Sequence, residues 1–393
     1  MSIFALSILT AVLVVLSSFN QSKFIAGKAS DAEKGEKNVK IVTGGHGSGH
    51  SSINTSGDIL NSVNEGDGVS SSGLNPMKYL RDFNYGHVSK TENGTTLREF
   101  TIIAQDKKLE ISNDVFMDAW TFNGTVPGPT IRATEGDIVR INFINNGSHA
   151  HTMHFHGIHK AEMDGVMDNV APGGKFVYEF TAEPFGVFPY HCHVQPLEEH
   201  IQRGLYGVYI VDPKTPRPPA DEMVMVMNGY DTDFDAENNF YTVNGISNYY
   251  MHYPIDIQKD KPIRIYLVNM LEFDQINNFH LHANLFNFYR SGTSLIPDEY
   301  TDAVTMGQGE RGIMEFTYKY PGPYLFHAHK TEFSEKGWIG KFLVKDDLRE
   351  SDLTTLSKGE KAGFMAEMEK NNRGFENDTR ESSNQANGGN LHL

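Results

Sequence analysis

Residues 188–213 read FPYHCHVQPLEEHIQRGLYGVYIVDP, and residues 324–346 read YLFHAHKTEFSEKGWIGKFLVKD. Both pass from an aromatic-rich run into His-x-His, cross a polar connection, and close on alternating β-branched and aromatic residues after a glycine. A second matched pair lies upstream of each. Asp137–Asn145 (DIVRINFIN) leads to HTMHFHG at 151–157, and Pro262–Asn269 (PIRIYLVN) leads to NNFHLHA at 277–283. The chain therefore carries one unit twice: a strand, His-x-His, about 35 to 45 residues, aromatic-His-x-His and a closing strand.

The runs around these motifs, such as LREFTIIAQ, KFVYEFTA and GIMEFTYKY, are short, alternate in polarity, and are separated by Gly, Pro, Asn and Asp. That pattern predicts an all-β protein built as sandwiches or barrels, with no long 3.6-period stretch to compete. Two copies of the unit place one β-domain at 95–214 and another at 219–347, joined by the Pro-rich DPKTPRPPADE. Residues 1–22 carry no charged side chain and are apolar from Ile3 to Leu16. They read as a signal peptide or membrane anchor and predict export to the periplasm or cell surface. Residues 23–94 read as a flexible Gly/Ser-rich linker and lead-in, and residues 348–393 as a polar, disordered tail.

Among 393 residues there are 34 Lys and Arg against 50 Asp and Glu, a formal charge of −16. A polyanionic partner needs a basic footprint, so nucleic acid is excluded as the main ligand. The single cysteine excludes an intrachain disulfide and any Cys-rich zinc or iron–sulfur site. Seventeen histidines beside that one thiol are the unusual feature.

Eight of them form the pairs His154/His156, His191/His193, His280/His282 and His327/His329. On a strand, residues i and i+2 share a face, so each pair offers two imidazoles to one site. One such pair carries little information, but four at matching places in a repeat point to metal. Imidazole ligands without a carboxylate or thiolate cluster favour copper. Cys192 lies between His191 and His193, so alternation turns its sulfur to the opposite face. A blue-copper site takes two histidines, a cysteine and a weak axial group. His200 lies eight residues beyond Cys192, and His151, three before His154, has the parity of the thiol face. Five residues after His200 stands Leu205, an axial residue unable to coordinate, which predicts a three-coordinate copper with a raised potential. The second domain lacks these parts, with Ala328 in place of the cysteine and Asn277 in place of His151.

These motifs resemble the multicopper oxidases, in particular the two-domain laccase-like group with the blue type 1 copper in domain 1, over about 250 residues. The resemblance implies two cupredoxin-like Greek-key β-sandwich (plastocyanin-like) domains in tandem. It also implies a trinuclear copper cluster on His154, His156, His191, His193, His280, His282, His327 and His329. About four coppers per subunit follow: one type 1, one type 2 and two type 3. So does a homotrimer in which each cluster lies between domain 1 of one subunit and domain 2 of the next. The implied reaction couples oxidation of a small-molecule or redox-protein donor, whose identity no motif reveals, to reduction of dioxygen to water.

The copper nitrite reductases are a related class, from which this sequence departs. That family resembles it in fold and blue site, but has Asp at the place of His154, Met at the place of Leu205, and fewer cluster histidines. Nitrite reduction and simple copper binding or electron transfer stand as the alternatives. Asp164 and Asp168 in EMDGVMD are proton-relay candidates or ordinary loop carboxylates. His159 reads as a surface loop histidine, the MVMVM run at 223–227 as a core strand, and His46 and His50 as part of a spacer.

Overall fold

The computed structural model describes residues 70–347, so the segments read as signal, most of the linker and the tail lie outside the described residues. In chain order the first domain contains β1 (Phe83–Asn84), β2 (His87–Lys90), β3 (Thr96–Ser112), β4 (Val115–Phe122), β5 (Thr130–Thr134), β6 (Ile138–Asn145), β7 (His154–Phe155), β8 (Lys175–Thr181), β9 (Gly186–His191) and β10 (Tyr206–Asp212). The second contains β11 (Asp221–Tyr230), β12 (Phe240–Val243), β13 (Ile255–Gln258), β14 (Ile263–Asn269), β15 (Ile276–Leu281), β16 (Phe286–Arg290), β17 (Glu299–Thr301), β18 (Ala303–Gly307), β19 (Arg311–Phe316), β20 (Gly322–His327) and β21 (Ile339–Lys345). Among the described residues the α-helices are short, α1 (Pro76–Tyr79), α2 (Leu197–Gln202), α3 (Tyr249–His252) and α4 (Thr331–Glu335), with one 3-10 turn at Ala161–Met163. None of the described helices is long and apolar enough to cross a membrane.

Each domain is a pair of sheets, and the pairings repeat. In the first, β3 runs parallel to β6 and β6 antiparallel to β8. In its other sheet β10 is parallel to β5 and antiparallel to β9, which pairs with β7. The second domain has β11 parallel to β14 and β14 antiparallel to β19. Its other sheet has β21 parallel to β13 and antiparallel to β20, which pairs with β15. The sequence repeat is thus a repeat of strand partners. These are two cupredoxin-like sandwiches, as the fold reading expected. Residues on β6 alternate between half-buried and buried, the period-2 signature of a strand packed on one face.

Two features differ from the sequence reading. Residues 70–94 are structured rather than linker. Pro76 opens α1 and Asn75 caps it through its side chain, β2 pairs with β3, and Leu74, Met77 and Leu80 are buried. The polar connection after His193, VQPLEE at 194–199, is no plain loop but winds into α2 and places His200 in its last turn. The MVMVM run is the core strand expected: Met223, Met225 and Met227 are fully buried on β11 along with the intervening valines, so that strand is covered on both faces and its sulfurs serve packing.

An ion network fastens the two domains together. Arg132 on β5 makes bidentate bonds to Asp212 on β10 (2.8 and 2.9 Å) and reaches Glu222 on β11 (2.7 and 3.1 Å). Arg264 on β14 bonds Glu222 (3.0 Å) and Glu315 (2.7 Å), and Tyr266 donates to Glu222 at 2.6 Å. Burial alone would raise the Glu222 carboxyl. Arg132, Tyr266 and Arg264 outweigh it and hold the group down to about 2. A depressed carboxyl stabilises the folded state fully above its unfolded value near 4.5, and this contribution is lost as pH falls through about 2. Glu222→Gln should therefore cost about 3 kcal/mol at neutral pH, with wild-type and variant melting temperatures converging between pH 4.5 and 2. A gap that stays constant from pH 7 to 3 would contradict this.

Candidate metal centres

Strand register builds two histidine sets. His154 on β7 lies directly opposite His191 at the end of β9, and His280 on β15 lies directly opposite His327 at the end of β20. Opposed residues share a sheet face, so each register merges two His-x-His pairs into one set of four imidazoles. His156 Nε2 is 3.3 Å from His191 Nε2, and His282 Nε2 is 2.8 Å from His327 Nε2. The other two rings of each set, His154 with His193 and His280 with His329, are 5.2 Å apart in both domains.

Backbone carbonyls fix the rings in the same way in both domains. His154 Nδ1 donates to Asp164 O (2.8 Å) and His280 Nδ1 to Asp302 O (2.9 Å). His191 Nδ1 donates to Cys192 O (2.8 Å) and His327 Nδ1 to Ala328 O (2.7 Å). A carbonyl can only accept, so each of these Nδ1 atoms holds the proton and each Nε2 presents its lone pair. Burial, then the charges of His191, His154 and Arg311, lowers His156 to about 3, and burial lowers His191 to about 4. His282 and His327 are lowered for the same first reason. Those four imidazoles are therefore neutral and competent as ligands at pH 7.

A third group lies on the far side of the Cys192 strand. His200 Nδ1 is 3.2 Å from Cys192 Sγ, His151 Nδ1 is 3.9 Å from it, and the two Nδ1 atoms are 3.3 Å apart. With metal–ligand bonds of about 2.0–2.3 Å, the ligands of one trigonal ion stand about 3.5–3.8 Å from each other. Two imidazoles and a thiol at these separations fit one soft transition-metal ion such as copper. All three residues are buried, which lowers both histidines to about 4 and pushes the thiol up. Leu205 is fully buried, and its carbonyl accepts the Cys192 N–H at 2.9 Å.

The second domain shows what replaced this group. The Ala328 N–H donates to Trp338 O just as Cys192 does to Leu205, and Trp338 N–H donates to Phe333 O just as Leu205 does to His200. Ala328, Phe333 and Trp338 therefore stand at the places of Cys192, His200 and Leu205. All three are fully buried and fill the space with hydrocarbon. Sequence spacing alone did not reveal the Phe333 and Trp338 correspondences, because the connecting loops differ in length.

Trp120 covers the thiol group from outside, its ring 4.7 Å from His200, 5.3 Å from His151 and 4.5 Å from the exposed His149. Arg203 stacks on Trp120 at 4.8 Å and on Phe234 of the second domain at 4.7 Å. No sequence signal marked these residues, since they meet only through tertiary packing.

Of the carboxylates singled out in the sequence, Asp164 is at the first histidine set, with Oδ1 3.2 Å from His154 Nδ1 and 3.5 Å from His159 Nε2. Gly165 beside it has φ +70°, and a Cβ there would collide with the Met153 carbonyl, so the turn that aims Asp164 requires glycine. Asp168 instead lines a 240 Å³ cavity with Phe176 and Tyr178. His159 is no surface histidine, because its side chain is only 8 % exposed and packs on the edge of Phe180.

Among the described residues, no group of converging ligands mixes histidines of the two domains. The second domain does approach the first set, where a Cβ on Gly309 would stand 3.8 Å from His156, and Arg311 donates to Val187 O at 3.0 Å.

Residues 104–216 and 216–348 each match a family model described as multicopper oxidase. The chain belongs to the multicopper oxidase family. This multicopper oxidase is 52% identical to a solved structure titled as a multicopper oxidase, with a TM-score of 0.69 over 70% of this chain and 98% of that one. It is also similar to a blue copper oxidase from Nitrosomonas europaea, 28% identical, with a TM-score of 0.56 over 63% of this chain and 86% of that one. The copper-containing nitrite reductase of Neisseria gonorrhoeae is 29% identical over 262 residues, covering 61% of this chain and 66% of the relative. This multicopper oxidase thus has relatives under both names.

Proposed function

We propose that the chain is a laccase-like oxidase that couples one-electron oxidation of a donor to reduction of dioxygen. The observation that carries the proposal is the mirrored pair of four-histidine sets. Eight imidazoles exceed what a single catalytic ion can use. Copper bound to these side chains would supply one-electron uptake at His151, Cys192 and His200, and four-electron, four-proton reduction of dioxygen to two waters at the histidine sets. The residues do the rest. Leu205 offers no ligand and keeps the thiol site dry, while His191-Cys192-His193 ties that site to the first histidine set through consecutive peptide bonds. Asp164, touching both His154 and His159, is the carboxylate placed to move protons there.

Among the described residues no ligand group mixes the two histidine sets, which supports a homotrimer whose clusters form between subunits. Tyr300, 68 % exposed, and Leu285, 42 % exposed, border the second set and suit cover by a neighbouring subunit. The charge-free residues 1–22 support export, either as a cleaved signal or as a retained anchor, and the acidic balance favours a cationic donor.

Nitrite reduction is the competing reading, favoured by the relatives of that name. Copper-loaded protein supplied with a reduced dye decides between them. The oxidase binds about four coppers per subunit and takes up oxygen in proportion to dye oxidised. Nitric oxide formed from nitrite without oxygen uptake, on about two coppers per subunit, would overturn the proposal.

A further inference from the structure

His151 is fully buried, and its Nδ1 faces Cys192 and His200. A neutral imidazole that gives its Nδ1 lone pair to a metal keeps its one proton on Nε2. That Nε2 is buried and has no hydrogen-bond partner within the chain. Asp106 lies beside it. On β3, Asp106 pairs with Trp120 on β4, and opposed residues share a face, so it flanks the ring packed against His151. Its Oδ2 accepts the Ser148 N–H at 3.1 Å. The point where a Gly147 Cβ would stand is 3.0 Å from His151 Nε2 and 3.2 Å from Asp106 Oδ1. Glycine at 147 therefore leaves open the space between the orphaned N–H and the second carboxylate oxygen.

We propose that Asp106 is the outer partner of His151. Its Oδ1 accepts the Nε2–H bond, directly or through one water in the space above Gly147. Asp106 is a positioning residue: it holds the ring in the tautomer that turns Nδ1 inward. Its negative charge also makes the imidazole a stronger donor, which favours the oxidised metal and lowers the potential. Leu205 and Asp106 then act in opposite directions on the same site. The inference rests on the reading of His151, Cys192 and His200 as a one-copper site.

The test is a redox titration of the visible absorption band of the copper-loaded chain. Asp106→Asn keeps an oxygen to accept the Ser148 N–H, so the loop stays in place while the charge is lost. We expect the band to persist and the midpoint to rise, changing the oxidised-to-reduced ratio at a fixed poise about three- to tenfold, or about 30–60 mV for a one-electron couple. Gly147→Ala, which fills the space but keeps the carboxylate, should move the midpoint in the same direction. An unchanged midpoint in Asp106→Asn overturns the proposal, even if Gly147→Ala shifts, since the effect would then be steric. Absence of an intense band in the wild type would instead sink the one-copper reading itself.

Discussion

Cys192→Ser abolishes the intense visible absorption and removes one copper per chain, leaving the histidine-bound copper in place. The substitution is nearly isosteric at a fully buried position, so the strand and its neighbours keep their packing. What changes is the ligand: a thiolate is a soft, polarisable donor, whereas a serine hydroxyl stays protonated at neutral pH. His191 retains its backbone register opposite His154 and Tyr206, and the His193 N–H keeps its bond to Thr152 Oγ1. Metal analysis should give about three coppers instead of about four, and oxidation of a reduced dye should fall by on the order of 100-fold or more. Persistence of the colour would remove Cys192 from the ligand set.

Subunit mixing gives an equally large contrast. A variant with His154 and His156 changed to Ala lacks the first set, and one with His280 and His282 changed to Ala lacks the second. Each should be inactive alone. In mixed rings, an interface that joins the intact first domain of one variant to the intact second domain of the other regains all eight imidazoles. Random assembly of equal amounts restores about one quarter of the interfaces, so co-refolded protein should recover about one quarter of wild-type oxygen uptake. No recovery in rings shown to be mixed would mean that the sets do not pool across subunits.

Faces of strands were legible in the sequence, while turns and distant contacts were not. The two-residue period assigned His191 and His193 to one face and Cys192 to the other, because strand geometry leaves no other arrangement. The repeat led to the doubled sandwich because each half carries its own alternating runs. Asp164 and Asp168 could not be told apart, since the choice depended on a left-handed Gly165 turn that alternation does not encode. Residues 70–94 were misjudged because the run SSSGL at 70–74 carries the Gly/Ser bias up to α1, and a four-residue helix is too short to show a 3.6-residue period. The cover formed by Trp120, Arg203 and Phe234 joins elements far apart in the chain, and short-range pattern does not register such meetings.

The Arg132–Asp212–Glu222–Arg264 network has a consequence for assembly. In the proposed trimer each protomer offers one domain to each of its two neighbours, so the angle between its domains sets the turn from one subunit to the next. Three equal turns close a ring, whereas a slightly different turn would build an open helix. In such a trimer, charges at the seam inside one chain would govern whether the quaternary structure ends at three subunits or continues as a filament.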